Sequence, residues 1–343
     1  MDRHLSRAWL GFGYAKALIF GEYAVMYGAP GLVVGLTAKL ACRLDEVRIL
    51  SGGASHSDPL CAPHGGGTRS LKDVLGLLPE LFSGPFFDAR LSICDEAFFD
   101  ETGTKYGIGS SSAAVVALVD AYLQLCRGYG HDVPDASHRL GIAVEAHRWL
   151  QGGLGSGIDV LASAMGGALW AHHCQDSPHI ERISVENLPE MAFFTLHRRA
   201  PTSRYIEAAE RVRNTTEARR ILDEMAQKYW SLSAFARTGR KENFLETLSE
   251  LPALLNVWGS CIDMPVLPSE FEALSDCAAS CHVVLKTAGA GGGDLLIACA
   301  LDSADIRRFE QRIERVLPLT RLHVSIAPER PCPGDDVFRG AGV

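Results

Sequence analysis

The spacing of apolar positions changes several times along the chain, and each change marks an expected element. Between residues 15 and 50, short β-rich runs (AKALIFGE, VMYGAPGLVVGL and KLACRLDEVRIL) are interrupted by glycine and proline, the pattern of strands joined by tight loops. Residues 51–68, SGGASHSDPLCAPHGGGT, show no periodicity and read as a surface loop whose His56 and His64 are solvated rather than metal ligands. A strand is expected near Ala89–Cys94. Then GIGSSSAAVVALVDAYLQLC passes from glycine and serine into good helix formers, a loop feeding a helix N-terminus. Residues 135–151 repeat apolar positions at helical spacing, and GGLGSGIDVLASAMGG is a second glycine-rich entry into a helix. MAFFTLHRR, at 191–199, reads as a strand, followed by the helices YIEAAERVRN and TEARRILDEMAQKYWSLSAFARTG. HVVLKTAGAGGGDLLIACAL, at 282–301, reads as strand, glycine loop and a further apolar segment. The alternation predicts a mixed α and β chain with two cores, without internal repeats.

Composition narrows this picture. A chain of 343 residues has room for about two domains, and 47% apolar residues exclude disorder as the main state. The formal charge of −8 argues against a general nucleic-acid or membrane-surface binder, yet leaves room for a local basic patch that holds an anion. Ten cysteines, at 42, 61, 94, 126, 174, 261, 277, 281, 299 and 332, form no CxxC pair and lie mostly in apolar runs. They read as buried free thiols of a reducing cytosol rather than a disulfide framework or a zinc ribbon. Lys16 interrupts the first apolar run, which speaks against a signal peptide, and the longest uncharged stretch, 23–38, is broken by Gly28, Pro30 and Gly31. A soluble cytoplasmic protein is expected, with no membrane or nucleic-acid partner.

The segment with the most chemistry is GIGSSSAA, Gly107–Ala114. Gly107 and Gly109 permit close backbone approach to a ligand, and the following helix offers unpaired N–H groups and the positive end of its dipole, an anion seat suited to phosphate. Ser110, Ser111 and Ser112 can cap that helix or meet a magnesium ion carried by phosphates; an ordinary N-cap after a glycine turn would use the same residues. No GK[ST] ends the segment, so it is not a Walker loop. LKTAGAGGGDLL, Leu285–Leu296, places four glycines between two β-like runs, where close approach to a ligand is a better reading than a linker. HRRAPTSR, at 197–204, carries Arg198, Arg199 and Arg204, suited to a phosphate or carboxylate, or else a solvated basic turn. His172 and His173 lack metal-ligand spacing, and Trp149, Met165 and Trp170 are assigned to the core. No GxSxG elbow is present, which disfavours a serine hydrolase.

AKALIFGEYAVMYGAP, GIGSSSA and KTAGAGGGD occur in the order and approximate spacing of the three motifs of the GHMP kinases, and the chain resembles that family from residue 15 to 297. HRWLQGGLGSGIDVLASAMGG, Asp294 and Tyr23 are most similar to the phosphomevalonate kinase branch, with mevalonate kinases next. The resemblance implies a two-domain α+β fold, with an N-terminal nucleotide-binding domain over 1–188, a smaller C-terminal domain over 189–343, and the active site in the cleft between them. It implies ATP and Mg2+, a small-molecule acceptor, and a monomer or homodimer. Lys16 and Asp159 match the family's catalytic positions, although Tyr14 and Ala15 replace the usual Pro-Gly before the lysine. Each has a plainer alternative, a snorkelling lysine and a helix N-cap. Gly107, Gly109, Ser110, Ser111, Ser112, Gly289, Gly291 and Gly292 would hold the nucleotide, with Ser111 contacting magnesium. Glu22, Tyr23, Ser156, Arg198, Arg199, Thr202, Ser203, Arg204, Lys286 and Asp294 would hold the acceptor, with Lys105 and Arg148 as further cations for a phosphate. The family's magnesium-binding glutamate falls where this chain has Arg148, so Glu145, about one helical turn earlier, is the nearest acid on that face. The implied activity is ATP-dependent phosphorylation of 5-phosphomevalonate, with mevalonate as the alternative acceptor and a non-catalytic ATP or metabolite sensor as the reading from another class.

Overall fold

Two antiparallel sheets divide the computed structural model, which describes residues 8–49, 69–153, 155–174, 177–198, 202–314 and 319–330. The first begins with β1 (Trp9–Phe20) and β2 (Gly31–Ile49), paired from Trp9↔Leu44 to Phe20↔Leu32. α1 (Leu71–Phe82) and β3 (Phe87–Cys94) follow, then α2 (Ser110–Gly128), α3 (Ala136–Leu150) and α4 (Ile158–Met165). β4 (Ala168–Cys174) and β5 (Ser177–Ile183) complete the order β1-β2-β4-β5, with β3 pairing the far half of β2. After β6 (Glu190–Thr195) come α5 (Thr202–Val212), α6 (Thr216–Thr238), α7 (Lys241–Cys261) and α8 (Phe271–Ala279). β7 (Val284–Thr287), β8 (Leu296–Ala300), α9 (Ser303–Ile313) and β9 (Thr320–Leu322) then close a sheet ordered β7-β8-β6-β9. This is a two-domain α+β architecture.

The expected break between GLVVGL and KLACRLDEVRIL is absent: β2 runs unbroken from Gly31 through Ile49. Gly35 makes no turn there. A Cβ on it would lie 2.7 Å from Gly166 Cα and 2.9 Å from the Ala162 carbonyl, so the glycine admits the end of α4 to the sheet. The strand expected over 191–199 stops at Thr195 because His197 turns into the left-handed region, at φ 53°. Tyr14 and Ala15 form no loop either; they lie inside β1 with a register shift between them.

α2 is buried on nearly every side, and β1 presents glycines to it. A Cβ on Gly11 would fall 2.0 Å from the Ala117 carbonyl oxygen, and one on Gly13 would fall 2.1 Å from that of Ala113. Helix backbone therefore rests directly on strand backbone. β1 ends the strand order, and its free edge is occupied by polar groups from elsewhere. The Gln124 amide donates to the Leu10 carbonyl (2.8 Å), Arg330 donates to that of Phe12 (3.0 Å), and the Lys16 N–H donates to the Ile108 carbonyl (2.8 Å).

The largest apolar cluster runs from Trp9 to Leu322 and draws on both sheets, with Trp258, Tyr122 and Tyr229 among its buried rings. A second cluster lies under α8 and α9 around Phe194, Leu274 and Phe309, and a third packs α4 against β2 and β4. Among the described residues the expectation of two cores thus becomes three clusters. Cys42, Cys126, Cys281 and Cys299 are buried free thiols, whereas Cys261 and Cys277 are half-buried and Cys94 is exposed. Among the described residues no helix is long and apolar enough to cross a membrane.

Candidate active site

A cleft of about 470 Å³ opens where β1, the 107–112 loop, the start of α4 and the β7–β8 loop converge. The Lys16 N–H bond to Ile108 fixes the strand against the loop, and Gly109 lets the lysine stem cross it: a Cβ there would sit 2.6 Å from Lys16 Cε. Gly109 is also the N-cap of α2, at φ 79°, and supplies no side-chain cap. The first N–H groups of α2 consequently lack a carbonyl one turn back, with Ser110 and Ser111 on the cleft wall. Ser112 serves the fold instead. Its buried hydroxyl bonds the Gly109 carbonyl (3.0 Å) and Ser163 Oγ (2.9 Å), tying α2 to α4.

Asp159 enters from the first turn of α4, whose N-cap is Gly157, so the plain N-cap alternative does not hold. Its Oδ1 accepts the Val160 N–H (3.0 Å), while its Oδ2 lies 4.0 Å from His147 Nε2. That nitrogen is also 3.2 Å from Ser111 Oγ and 3.2 Å from Gln151 Nε2. Burial holds the His147 imidazole toward its neutral form; Asp159 opposes this and Lys16 reinforces it. The sequence reading missed His147. The available signal was an ionisable residue on the face of α3 that also buries Leu140, Ala143 and Ala146.

Glu145 does not reach the cleft. Two residues along a helix turn a side chain by about 200°, so with His147 facing inward Glu145 points out, paired with Arg148 at 2.8 Å. The expected magnesium role of Glu145 is corrected on this ground, and Arg148 is likewise turned away from the site.

The β7–β8 loop brings Asp294 against Gly107, where a Cβ would lie 2.6 Å from the carboxylate. Burial raises the Asp294 carboxyl to about 6, with Lys16 pulling the other way. Gly289 lines the cleft. Gly291 and Gly292 do not: a Cβ on Gly291 would strike the Val266 carbonyl at 2.5 Å, and the Gly292 N–H donates to that same carbonyl at 2.8 Å. These two glycines seat the loop on the protein. Lys286, expected at the acceptor, is wholly buried, ion-paired with Glu22 and donating to the Thr287 carbonyl (2.6 Å). Glu22 borders the cleft, but its other oxygen accepts from Tyr229 (3.1 Å). Tyr23 donates to the Ala290 carbonyl and tilts against Trp258, and burial raises its phenol. Ser156, Lys105, Arg198 and Thr202 line the cleft, with Arg198 paired to Glu270, whereas Arg204 is exposed outside it. Arg199 and the Ser203 side chain lie outside the described residues.

Residues 99–167, which include the loop, α2, α3 and α4, match the GHMP kinases N terminal domain. The chain carries a GHMP kinase N-terminal domain. Its fold is the GHMP kinase fold, that of a family of phosphotransferases. Mevalonate kinase of Methanothermobacter thermautotrophicus is 28% identical over 303 residues, 83% of this chain and 88% of that enzyme. Phosphomevalonate kinase of Saccharolobus solfataricus is 22% identical over 298 residues, 85% of this chain and 90% of that enzyme. The structure of Streptococcus pneumoniae phosphomevalonate kinase in complex with phosphomevalonate and AMPPNP matches with a TM-score of 0.68 at 17% identity, over 94% of this chain and 99% of that one. These relatives divide between two mevalonate-pathway activities.

Among the described residues of this chain, no three His, Cys, Asp or Glu side chains converge as a metal site. The oxygen donors beside the α2 N-terminus include the Ser110 and Ser111 hydroxyls and the Asp159 carboxylate, with Ser111 and Asp159 both approaching His147. So sparse a set suits Mg2+, which retains several waters and is held by one or two protein oxygens together with substrate phosphates.

Proposed function

We propose that the chain is an ATP-dependent kinase that phosphorylates 5-phosphomevalonate to 5-diphosphomevalonate. The observation that carries this reading is the composition of one cleft. Helix N–H groups, Lys16 and Asp159 share it with Lys105, Arg198 and Thr202. Phosphoryl transfer depends on charge neutralisation and in-line placement more than on covalent help from the protein. The N–H groups at Ser110 and Ser111 would bind nucleotide phosphates, and Lys16 would neutralise charge on the transferred group. Ser111 and Asp159 would hold Mg2+, which supplies further neutralisation when bound.

The acceptor follows from its own chemistry. A phosphate monoester has a second pKa of about 6 and is already anionic near neutral pH, so it requires cations rather than a base. Lys105 and Arg198 supply two, and Thr202 a hydroxyl. Asp159 then orients the acceptor. A second reading, mevalonate kinase, draws on the 28% identity to the Methanothermobacter enzyme. There Asp159 would accept the hydroxyl proton.

ADP release measured with phosphomevalonate, mevalonate, homoserine and galactose tests both. Turnover of phosphomevalonate with coupled diphosphate signals in phosphorus NMR is expected. Efficient conversion of mevalonate to a monoester, with phosphomevalonate inert, would select the second reading. ATP binding without turnover of any acceptor would leave a nucleotide sensor.

A further inference from the structure

The turn after β6 contains a side chain that the proposed chemistry does not use. His197 sits at φ 53°, a region rarely adopted outside glycine, and its N–H donates to Thr195 Oγ1 (3.0 Å). Both ring nitrogens are engaged across the fold. Nδ1 lies 2.6 Å from Asp100 Oδ2, and Nε2 lies 2.8 Å from Thr320 Oγ1 at the start of β9. A single neutral tautomer satisfies both contacts, with Nδ1–H donating to the carboxylate and Nε2 accepting the threonine hydroxyl. Asp100 is itself held. Its Oδ1 accepts the Thr102 hydroxyl (2.6 Å) and the N–H groups of Thr102 (2.9 Å) and Thr104 (2.8 Å). These bonds, that of the Thr102 hydroxyl foremost, keep its carboxyl below the usual carboxylate range. The Tyr106 ring stands edge-on to the imidazole at 6.3 Å.

Three segments remote in sequence therefore meet on one imidazole. Residues 100–106 carry Lys105 and lead into Gly107, the turn carries Arg198, and β9 is the outer strand of the second sheet beside β6. Lys105 and Arg198 both line the cleft, and each is close in sequence to a partner in the clamp. The Glu22–Lys286 and Tyr23–Ala290 contacts join the end of β1 to β7 and the β7–β8 loop, and neither touches these two cations; Glu270 pairs with the Arg198 guanidinium, while the backbone that carries it turns at His197.

We propose that His197 is a positioning residue for the acceptor: by bridging Asp100 and Thr320 it sets the separation of Lys105 and Arg198, and hence the length of anionic acceptor that fits between them. This rests on the reading of the cleft as a kinase site for a phosphorylated acceptor.

The test uses two variants that spare the backbone. Thr320→Val removes the hydroxyl with little change of shape. His197→Asn tolerates the left-handed conformation but is too short to span both partners. In the full-length enzyme each should raise KM for phosphomevalonate about tenfold, the effect of one lost hydrogen bond. KM for ATP should stay within twofold and Tm within a few degrees, and Thr320→Ser should restore the acceptor KM. Hydrogen–deuterium exchange of the free protein should quicken in residues 95–107 and 319–322 in both variants. Acceptor KM within twofold of the parent in both would overturn the proposal. So would a parallel rise in both KM values with a falling Tm, which marks a structural role. If the parent turns over neither acceptor, the kinase reading itself fails; unchanged exchange in residues 95–107 then removes the clamp as well.

Discussion

Lys16 crosses Gly109 and Asp159 stands in the first turn of α4, so both can be altered without emptying a core. Removing such charges typically slows a reaction by about 100-fold or more. Lys16→Met and Asp159→Asn should therefore lose at least that much in kcat while melting near the parent temperature; a loss of only a few-fold in both would withdraw their roles. Asp294 yields a prediction in pH. Burial lifts its carboxyl from 3.8 to about 6, so between those values the folded protein retains a proton that the unfolded chain has released. Stability contributed by this group is full below pH 3.8 and is lost as pH rises through 6. Asp294→Asn removes that slope, and its Tm should match the parent near pH 4 and exceed it at pH 7.5; an equal difference at both values would refute the assignment. Gly107 and Gly109 were legible in the sequence as a glycine turn feeding a helix, a pattern that an ordinary N-cap shares. Lys286 was misplaced because its partner Glu22 stands 264 positions away, a distance no local pattern conveys. His147 went unread because a lone histidine on an apolar helix face carries no motif.

Among the elements, the seam between β1 and α2 governs where the cleft wall formed by α2 stands. A methyl group added at Gly13 meets the first turn of α2 at Ala113, and one added at Gly11 meets Ala117 a turn deeper. Overpacking of this kind costs about 1–3 kcal/mol, sometimes more. Gly13→Ala and Gly11→Ala should both lower the denaturant midpoint, but Gly13→Ala should weaken ATP binding more, as measured by calorimetry. Equal effects on affinity would show that α2 shifts as one rigid rod. Gly109→Val should act through Lys16 as much as through the proposed phosphate seat, because the new side chain must displace the lysine stem. Most elements could be read from periodicity, including the helices α2, α3 and α6. Several, among them α1, α7 and β4, were not read, and β2 shows why glycine misleads: Gly35 interrupts the sequence pattern, yet in space it is a contact point for α4. Glycine for a turn and glycine for close approach look alike until the neighbour is known.

At the scale of the whole molecule, the buried Glu22–Lys286 pair links the end of β1 to β7. Removing one partner of such a pair leaves an uncompensated buried charge and typically costs about 3–5 kcal/mol, whereas removing both can be nearly neutral. Lys286→Met should thus destabilise strongly in chemical denaturation, and adding Glu22→Gln should recover much of the loss. Strictly additive losses would mean the two groups do not interact. The alternation of strands and helices was sufficient to indicate a mixed α and β chain. It could not reveal that the largest core would draw on both, because that depends on which apolar faces meet.

The capped edge of β1 bears on how the chain leaves the ribosome. The groups that cover that edge come from far downstream, Gln124 at a separation of 114 residues and Arg330 at 318. Until they have been synthesised, the nascent strand presents bare N–H and C=O groups beside Leu10 and Phe12, which remain partly exposed even in the finished fold. An uncovered hydrophobic edge is a template for pairing with another chain. The newborn polypeptide should accordingly depend on chaperones in proportion to the time between synthesis of β1 and of its distant caps, and slower translation should increase misassembly.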